Sequence, residues 1–238
     1  VTAEPRTVVF ASQDELAAQT ATRLAAVLAE AQAARGTASV VLTGGRTGGA
    51  VLAALREASL DWSTIDIYWG DERFLPGGDP ERNETLARQE LLDHVPVSPE
   101  RVHPMAPSDG EFGDDPDAAA EAYAVLLKDV PPFDVCLLGV GEEGHTASVF
   151  PHSPAVEETA RAVVAVRDCP KPPPTRVSLT LPTIRNSQRV WLMTAGAAKA
   201  EAVAAAVAGA AEAELPAAGA RGRQETLWLL DTAAAGED

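Results

Sequence analysis

Cysteine is nearly missing from this chain: Cys136 sits in an apolar run and Cys169 in a proline-rich loop. Two such residues form neither a disulfide framework nor a metal-ligand spacing, so two reduced thiols are expected. Aromatic residues make up only 5%, so aliphatic side chains and alanine must fill the core. Positive charge is also scarce. Nineteen Lys and Arg stand against 35 Asp and Glu, a net charge of -16, which argues against a nucleic-acid or acidic-membrane partner. The blandest stretch, Ala202 to Ala211, falls short of the ~20 apolar residues that a membrane span needs. Val1 to Arg6 lack an apolar signal core, and a cytoplasmic address is expected.

What remains has the profile of an ordinary soluble globular protein, 46% hydrophobic and 23% charged over 238 residues. No repeat or biased linker divides it, so a single domain over residues 1–238 is expected. Short apolar runs at Thr7 to Ala11, Ala38 to Leu42, Ile65 to Trp69, Ala162 to Val166, Val177 to Leu181, Val190 to Thr194 and Thr226 to Leu230 read as strands, as does the start of the run that begins at Phe133. A further short one is placed at Val102 to Met105. Helices are expected between them. One starts at the capping box Ser12 to Glu15 and stops at Gly36. Others cover Ala50 to Ala58, Asn83 to Leu92, Pro116 to Lys128, a turn near Thr183 to Ser187, and Lys199 to Ala210. This alternation predicts an α/β fold, a mostly parallel doubly wound sheet with helices on both faces.

The unusual residues follow strand ends, where ligands bind in such sheets. Leu42 leads into Thr43-Gly44-Gly45-Arg46-Thr47-Gly48-Gly49, which fits either a phosphate cradle or a plain tight turn. Trp69 leads into Gly70-Asp71-Glu72-Arg73, where Arg73 is either a phosphate ligand or the ion-pair partner of Asp71 or Glu72. The run from Phe133 breaks at Gly139, Gly141 and Gly144, then presents His145 beside Glu142 and Glu143. The loop Cys169 to Arg176 is stiffened by prolines that hold Lys171 and Arg176 at a defined separation. Lys199 either reaches a ligand at its helix start or, as the more ordinary case, is expected in solvent. Ser148 is expected as a cap or loop hydrogen bond, because it lacks the nucleophile elbow of a serine esterase.

Together, Leu42-Thr43-Gly44-Gly45, Trp69 to Arg73 with Pro76, Asp79 and Asn83, Leu138 to Pro151, and Pro170 to Pro173 with Arg176 resemble the 6-phosphogluconolactonase family. That resemblance implies hydrolysis of 6-phospho-D-glucono-1,5-lactone in the oxidative pentose phosphate pathway, and a fold shared with glucosamine-6-phosphate deaminase. It implies His145 as general base, with Glu143 either orienting its ring or lying on the surface as an ordinary acid. The 6-phosphate clamp comprises Gly44, Gly45, Arg73, Lys171 and Arg176. Asp71 would bond sugar hydroxyls, Gly144 belongs to the substrate-binding loop, and Arg46 either adds a cation or points outward. The only partner implied is a small phosphorylated sugar lactone, bound by a monomer or small homo-oligomer. No metal and no cofactor are required.

The chain departs from the family pattern at Arg46-Thr47, where a small hydroxyl residue and proline are usual, and at Glu143, where Asp is usual. Two other readings share the scaffold. A deaminase is disfavoured by Phe150-Pro151, where such enzymes carry an acid, and by Arg73, where they have a tyrosine-like residue. A non-catalytic sugar-phosphate sensor would usually bring a DNA-binding or partner segment, which the chain has no room to supply.

Overall fold

The computed structural model describes residues 1–237. From β1 (Pro5–Phe10), Ser12 turns the chain into α1 (Gln13–Arg35). The Ser12 hydroxyl accepts the Glu15 N–H at 3.1 Å, and the Glu15 carboxylate reaches back to the Ala11 N–H at 2.9 Å. The first bond satisfies an otherwise unpaired helix donor, and the second secures the backbone just ahead of the cap. Gly36, at φ +83°, ends α1 and returns its N–H to the Gln32 carbonyl.

Strand β2 (Ala38–Leu42) runs into α2 (Gly45–Ala54), which starts five residues before the expected Ala50. The glycine loop is itself the first helical turn. A Cβ at Gly48 would lie 2.8 Å from the Thr43 carbonyl oxygen, and one at Gly49 would lie 3.3 Å from Leu86 Cδ1. Glycine here permits close approach to the preceding strand and the neighbouring helix.

The chain continues through β3 (Ile65–Trp69), β4 (Asp71–Arg73), α3 (Asn83–Glu90), α4 (Pro116–Leu127) and β5 (Phe133–Gly139). Then come α5 (Pro154–Glu157), β6 (Val163–Val166), β7 (Arg176–Leu179), α6 (Leu181–Ile184), β8 (Ser187–Thr194), α7 (Ala200–Val207) and β9 (Glu225–Asp231). The expected strand at Val102 to Met105 is reduced to one bridge between Val102 and Ile67. Pro104 has no N–H with which to extend it.

Six strands form a parallel sheet in the order β1-β9-β8-β5-β2-β3. Side chains alternate across it, as strand geometry requires. On β5, Val135 and Leu137 join the core beneath α1 and α2, while Cys136 and Leu138 face the core that includes Ala119 and Tyr123 of α4 and Val203 of α7. Burial pushes the Cys136 thiol up to about 12, so it is an inert core group. The chain leaves β2 toward one edge and β5 toward the other, so the topological switch point lies between these two strands.

The single mostly parallel sheet expected from the sequence is supplemented by a second one. Strands β4, β7 and β6 form a small antiparallel sheet. Residues 167–175 contain no helix to carry a parallel crossover, so β6 and β7 pair antiparallel. Its register sets Arg73 opposite Arg176 and Asp71 opposite Ser178. Two loops far apart in sequence are thus joined at the carboxyl edge of the parallel sheet. Among the described residues, no helix is long and apolar enough to cross a membrane.

Candidate active site

The loop after β5 is organised by its own backbone. The Gly141 N–H donates to the His145 carbonyl and the Gly144 N–H to the Gly141 carbonyl, each at 2.9 Å. Gly144 has φ +90°, a conformation that side chains rarely adopt. The Thr146 hydroxyl ties the loop back to the Gly139 carbonyl at 2.9 Å. These bonds deliver His145 onto Phe150, with ring centroids 4.4 Å apart and planes 25° from parallel. A Cβ at Gly141 would sit 2.0 Å from His145 Nδ1, so glycine makes room for the ring.

Nδ1 of His145 is hydrogen-bonded to Oε1 of Glu143. That partner assigns the proton to Nδ1 and leaves Nε2 with a free lone pair. Lys171 Nζ lies 3.3 Å from the other Glu143 oxygen. Burial pushes the His145 pKa down, Glu143 pushes it back up, and Lys171 lowers it again, for a net value below the ordinary one. The imidazole is therefore mostly neutral at pH 7. For Glu143, burial acts upward but is outweighed by a backbone N–H, His145 and Lys171, so its carboxylate stays ionised.

His145 opens on a cavity of about 190 Å³ that also receives Gly44, Gly45, Asp71, Arg73, Asn83, Lys171, Arg176 and Lys199. Gly44 is the N-cap of α2 and supplies no side chain to its first turn. A helix start of this kind favours an anion. Arg73 donates through Nη1 to the Glu81 carbonyl at 2.6 Å, and makes no ion pair with Asp71 or Glu72 among the described residues. Arg176 is 5% exposed and donates to the carbonyls of Lys171, Pro172 and Pro173 at 3.1, 3.3 and 3.2 Å. It fastens the proline loop to the small sheet while bordering the cavity.

Asp71 and Glu72 point to different tasks. Asp71 faces the cavity, accepting from the Ser148 hydroxyl at 2.7 Å and from Asn83 Nδ2 at 3.3 Å. Glu72 accepts the N–H groups of Arg73, Asn83 and Glu84 at 2.8, 2.7 and 2.9 Å, capping α3 from outside that helix. Burial pushes its carboxyl up to about 7, against the opposing pull of Arg82 and those three amides.

Arg46 and Gly144 do not line the His145 cavity. Arg46 is exposed and borders an adjoining cavity of about 370 Å³ with Gln13, Thr194 and Asp231. Gly144 shapes the turn and lies against Leu215. Three residues enter the site against expectation. Lys199, expected in solvent, donates to the Val140 carbonyl at 2.6 Å and borders the cavity; burial, and then Lys171, lower its pKa. Asn83, the first residue of α3, turns its side chain to Asp71. Ser148 also reaches Asp71. A signal for Lys199 was present: it follows Gly196 just beyond β8, at the same sheet edge as the other loops.

The fold and this cavity define an α/β protein whose histidine–carboxylate pair and convergent cations meet at the switch point of a parallel sheet. The chain belongs to the glucosamine-6-phosphate isomerases/6-phosphogluconolactonase family, which matches residues 11–228. It is 55% identical to the 6-phosphogluconolactonase of Streptomyces coelicolor, covering 98% of this chain and 94% of that one. It is 52% identical to the 6-phosphogluconolactonase of Mycobacterium tuberculosis, covering 96% of each. Among solved structures, the 6-phosphogluconolactonase of Trypanosoma brucei superposes with a TM-score of 0.86 at 29% identity, covering 98% of both chains. A monomeric glucosamine-6-phosphate deaminase, at 22% identity and a TM-score of 0.82 over 99% of this chain and 100% of that one, shares the fold.

Proposed function

We propose that the protein is a lactone hydrolase that opens 6-phospho-D-glucono-1,5-lactone to 6-phosphogluconate, the second step of the oxidative pentose phosphate pathway. The observation that carries this reading is His145, held by Glu143, facing the same small cavity as Arg73, Lys171, Arg176, Lys199 and the start of α2. A lactone is an activated ester. Its hydrolysis needs a nucleophilic water and a proton for the departing ring oxygen.

Nε2 of His145 takes a proton from water as the water oxygen bonds to C1. The bond from C1 to the ring oxygen then breaks, and the imidazolium returns the proton to that oxygen. Glu143 holds the ring and stabilises its transient positive charge, as carboxylates do behind other catalytic histidines. Arg73, Lys171, Arg176, Lys199 and the Gly44–Gly45 amides hold the 6-phosphate. Binding energy from that distant group thereby orients C1 against the water. Asp71 takes a sugar hydroxyl. Lys171 has to exchange Glu143 for phosphate, at modest cost because both groups are partly exposed.

The test is timed hydrolysis of freshly generated 6-phosphogluconolactone, corrected for spontaneous opening. Turnover well above that background is expected, with no ammonia released from glucosamine 6-phosphate. Tight binding of 6-phosphogluconate without lactone turnover would instead indicate a sensor.

A further inference from the structure

Ser148 is fully buried three residues beyond His145, and its hydroxyl is committed to Asp71 Oδ2 at 2.7 Å. Its backbone N–H donates to the Ser178 hydroxyl at 3.2 Å, and that hydroxyl donates to the Leu179 carbonyl at 2.9 Å. The donors are therefore ordered. Ser178 is used by a carbonyl and cannot compete for Asp71, so the Ser148 proton has the carboxylate as its partner. On the other side, Asn83 Nδ2 spans the Asp71 backbone carbonyl at 3.1 Å and Oδ1 at 3.3 Å. Asp71 is only 7% exposed yet borders the cavity containing His145. It is gripped from both sides, with its strong bond on Oδ2 and only a long one on Oδ1.

We infer that Ser148 is a positioning residue for substrate specificity: it locks Asp71 so that Oδ1 accepts a hydrogen bond from one ring hydroxyl of the lactone. This deepens the reading of the site as a sugar-lactone hydrolase and rests on it. A carboxylate free to rotate would accept from water or from several hydroxyls. One whose second oxygen is occupied and whose plane is fixed selects by position. A buried acceptor shaped for one hydroxyl strongly rejects the analogue lacking it, because the acceptor is then left unpaired. Through one loop, Ser148 couples this selection to the base, since the residues that turn His145 into the cavity also place Ser148 beneath Asp71.

The experiment compares kcat/KM for the natural lactone with 6-phospho-lactones each lacking one ring hydroxyl, in the full-length protein and in Ser148→Ala, Asp71→Asn and the double variant. The unaltered protein is expected to reject one deoxy analogue by about 100-fold or more. Ser148→Ala is expected to reduce that ratio at least about tenfold while rejection of the other analogues is unchanged, a selective effect that general loosening would not produce. Adding Ser148→Ala to Asp71→Asn should cost nothing further, since both act through one contact. Should Ser148→Ala not fold, Ser148→Cys, similar in size but a weak donor, makes the same comparison. Unchanged selectivity in the serine variants, or costs that multiply in the double variant, overturn the inference. Absence of lactone turnover in the unaltered protein would overturn the functional reading instead.

Discussion

His145 and Glu143 are hydrogen-bonded through Nδ1 and Oε1, although only one residue separates them. Gly144, at φ +90°, makes this possible by folding the chain back so that both side chains emerge on the same side. The usual carboxylate of the family motif is one methylene shorter, and here the longer side chain still closes the contact. His145→Ala is expected to lower kcat by about 100- to 10,000-fold, the span of general-base contributions. Melting temperature should stay near that of the parent, and undiminished turnover in a folded variant would reject His145 as the base.

The pH profile offers a signed test of the pair. Because Glu143 raises the pKa of His145, Glu143→Gln should shift the acid limb of kcat/KM to lower pH as well as reducing the rate. Lys171 acts in the opposite direction, so Lys171→Met should move that limb to higher pH, alongside a larger KM. Profiles that shift the same way in both variants would contradict the electrostatics described above.

Gly141 and Gly44 are steric requirements of the site. Gly141→Ala brings a Cβ onto the His145 ring, and Gly44→Ala brings one to 2.0 Å from Asn83 Oδ1. Overpacking of this kind costs about 1 to 3 kcal/mol. The first should mainly depress kcat, the second mainly raise KM by displacing Asn83 from Asp71. Steady-state kinetics separates the two outcomes, and parental constants in either variant would mean that the loop absorbs the methyl.

Arg176 is expected to matter twice over. In Arg176→Ala, three carbonyls of the proline loop lose their shared donor, at a cost of about 0.5 to 1.5 kcal/mol per bond because Lys171 and Pro172 are exposed and water can replace it. KM for the phosphorylated lactone should rise as well. Arg176→Lys should recover little, because a single ammonium cannot span the three acceptors held by the guanidinium. Full recovery by lysine in denaturant melts and kinetics would show that charge alone suffices.

Glu72 has a structural role beside the site. Glu72→Ala leaves the amides of Arg73, Asn83 and Glu84 without their acceptor, whereas Arg82 keeps Glu84 Oε1 at 2.9 Å. A destabilisation of about 1 to 3 kcal/mol is expected, the cost of leaving buried donors unsatisfied. Equilibrium unfolding in urea measures it, and a loss below 1 kcal/mol, roughly the worth of a surface pair, would rule the capping role out.

Local rules made much of this molecule legible. The apolar runs at Ala38–Leu42 and Ile65–Trp69 mark strands at their observed bounds, and the run from Phe133 marks the start of a third, because buried parallel strands need unbroken apolar sequence. Ser12 and Gly36 mark the ends of α1 because caps act within one turn. The glycine loop and the Gly139–His145 segment were readable as site loops because they follow strands that meet at a switch point. What required the tertiary structure depends on contacts distant in sequence. The β4–β7 pairing joins residues about a hundred positions apart, and no local pattern prescribes its register. Whether Arg73 meets an acid or the cavity, whether Lys199 meets solvent or a carbonyl, and which acceptor Ser148 finds were each decided by neighbours that only chain folding supplies. Residue type sets what a side chain can do, and packing sets what it faces.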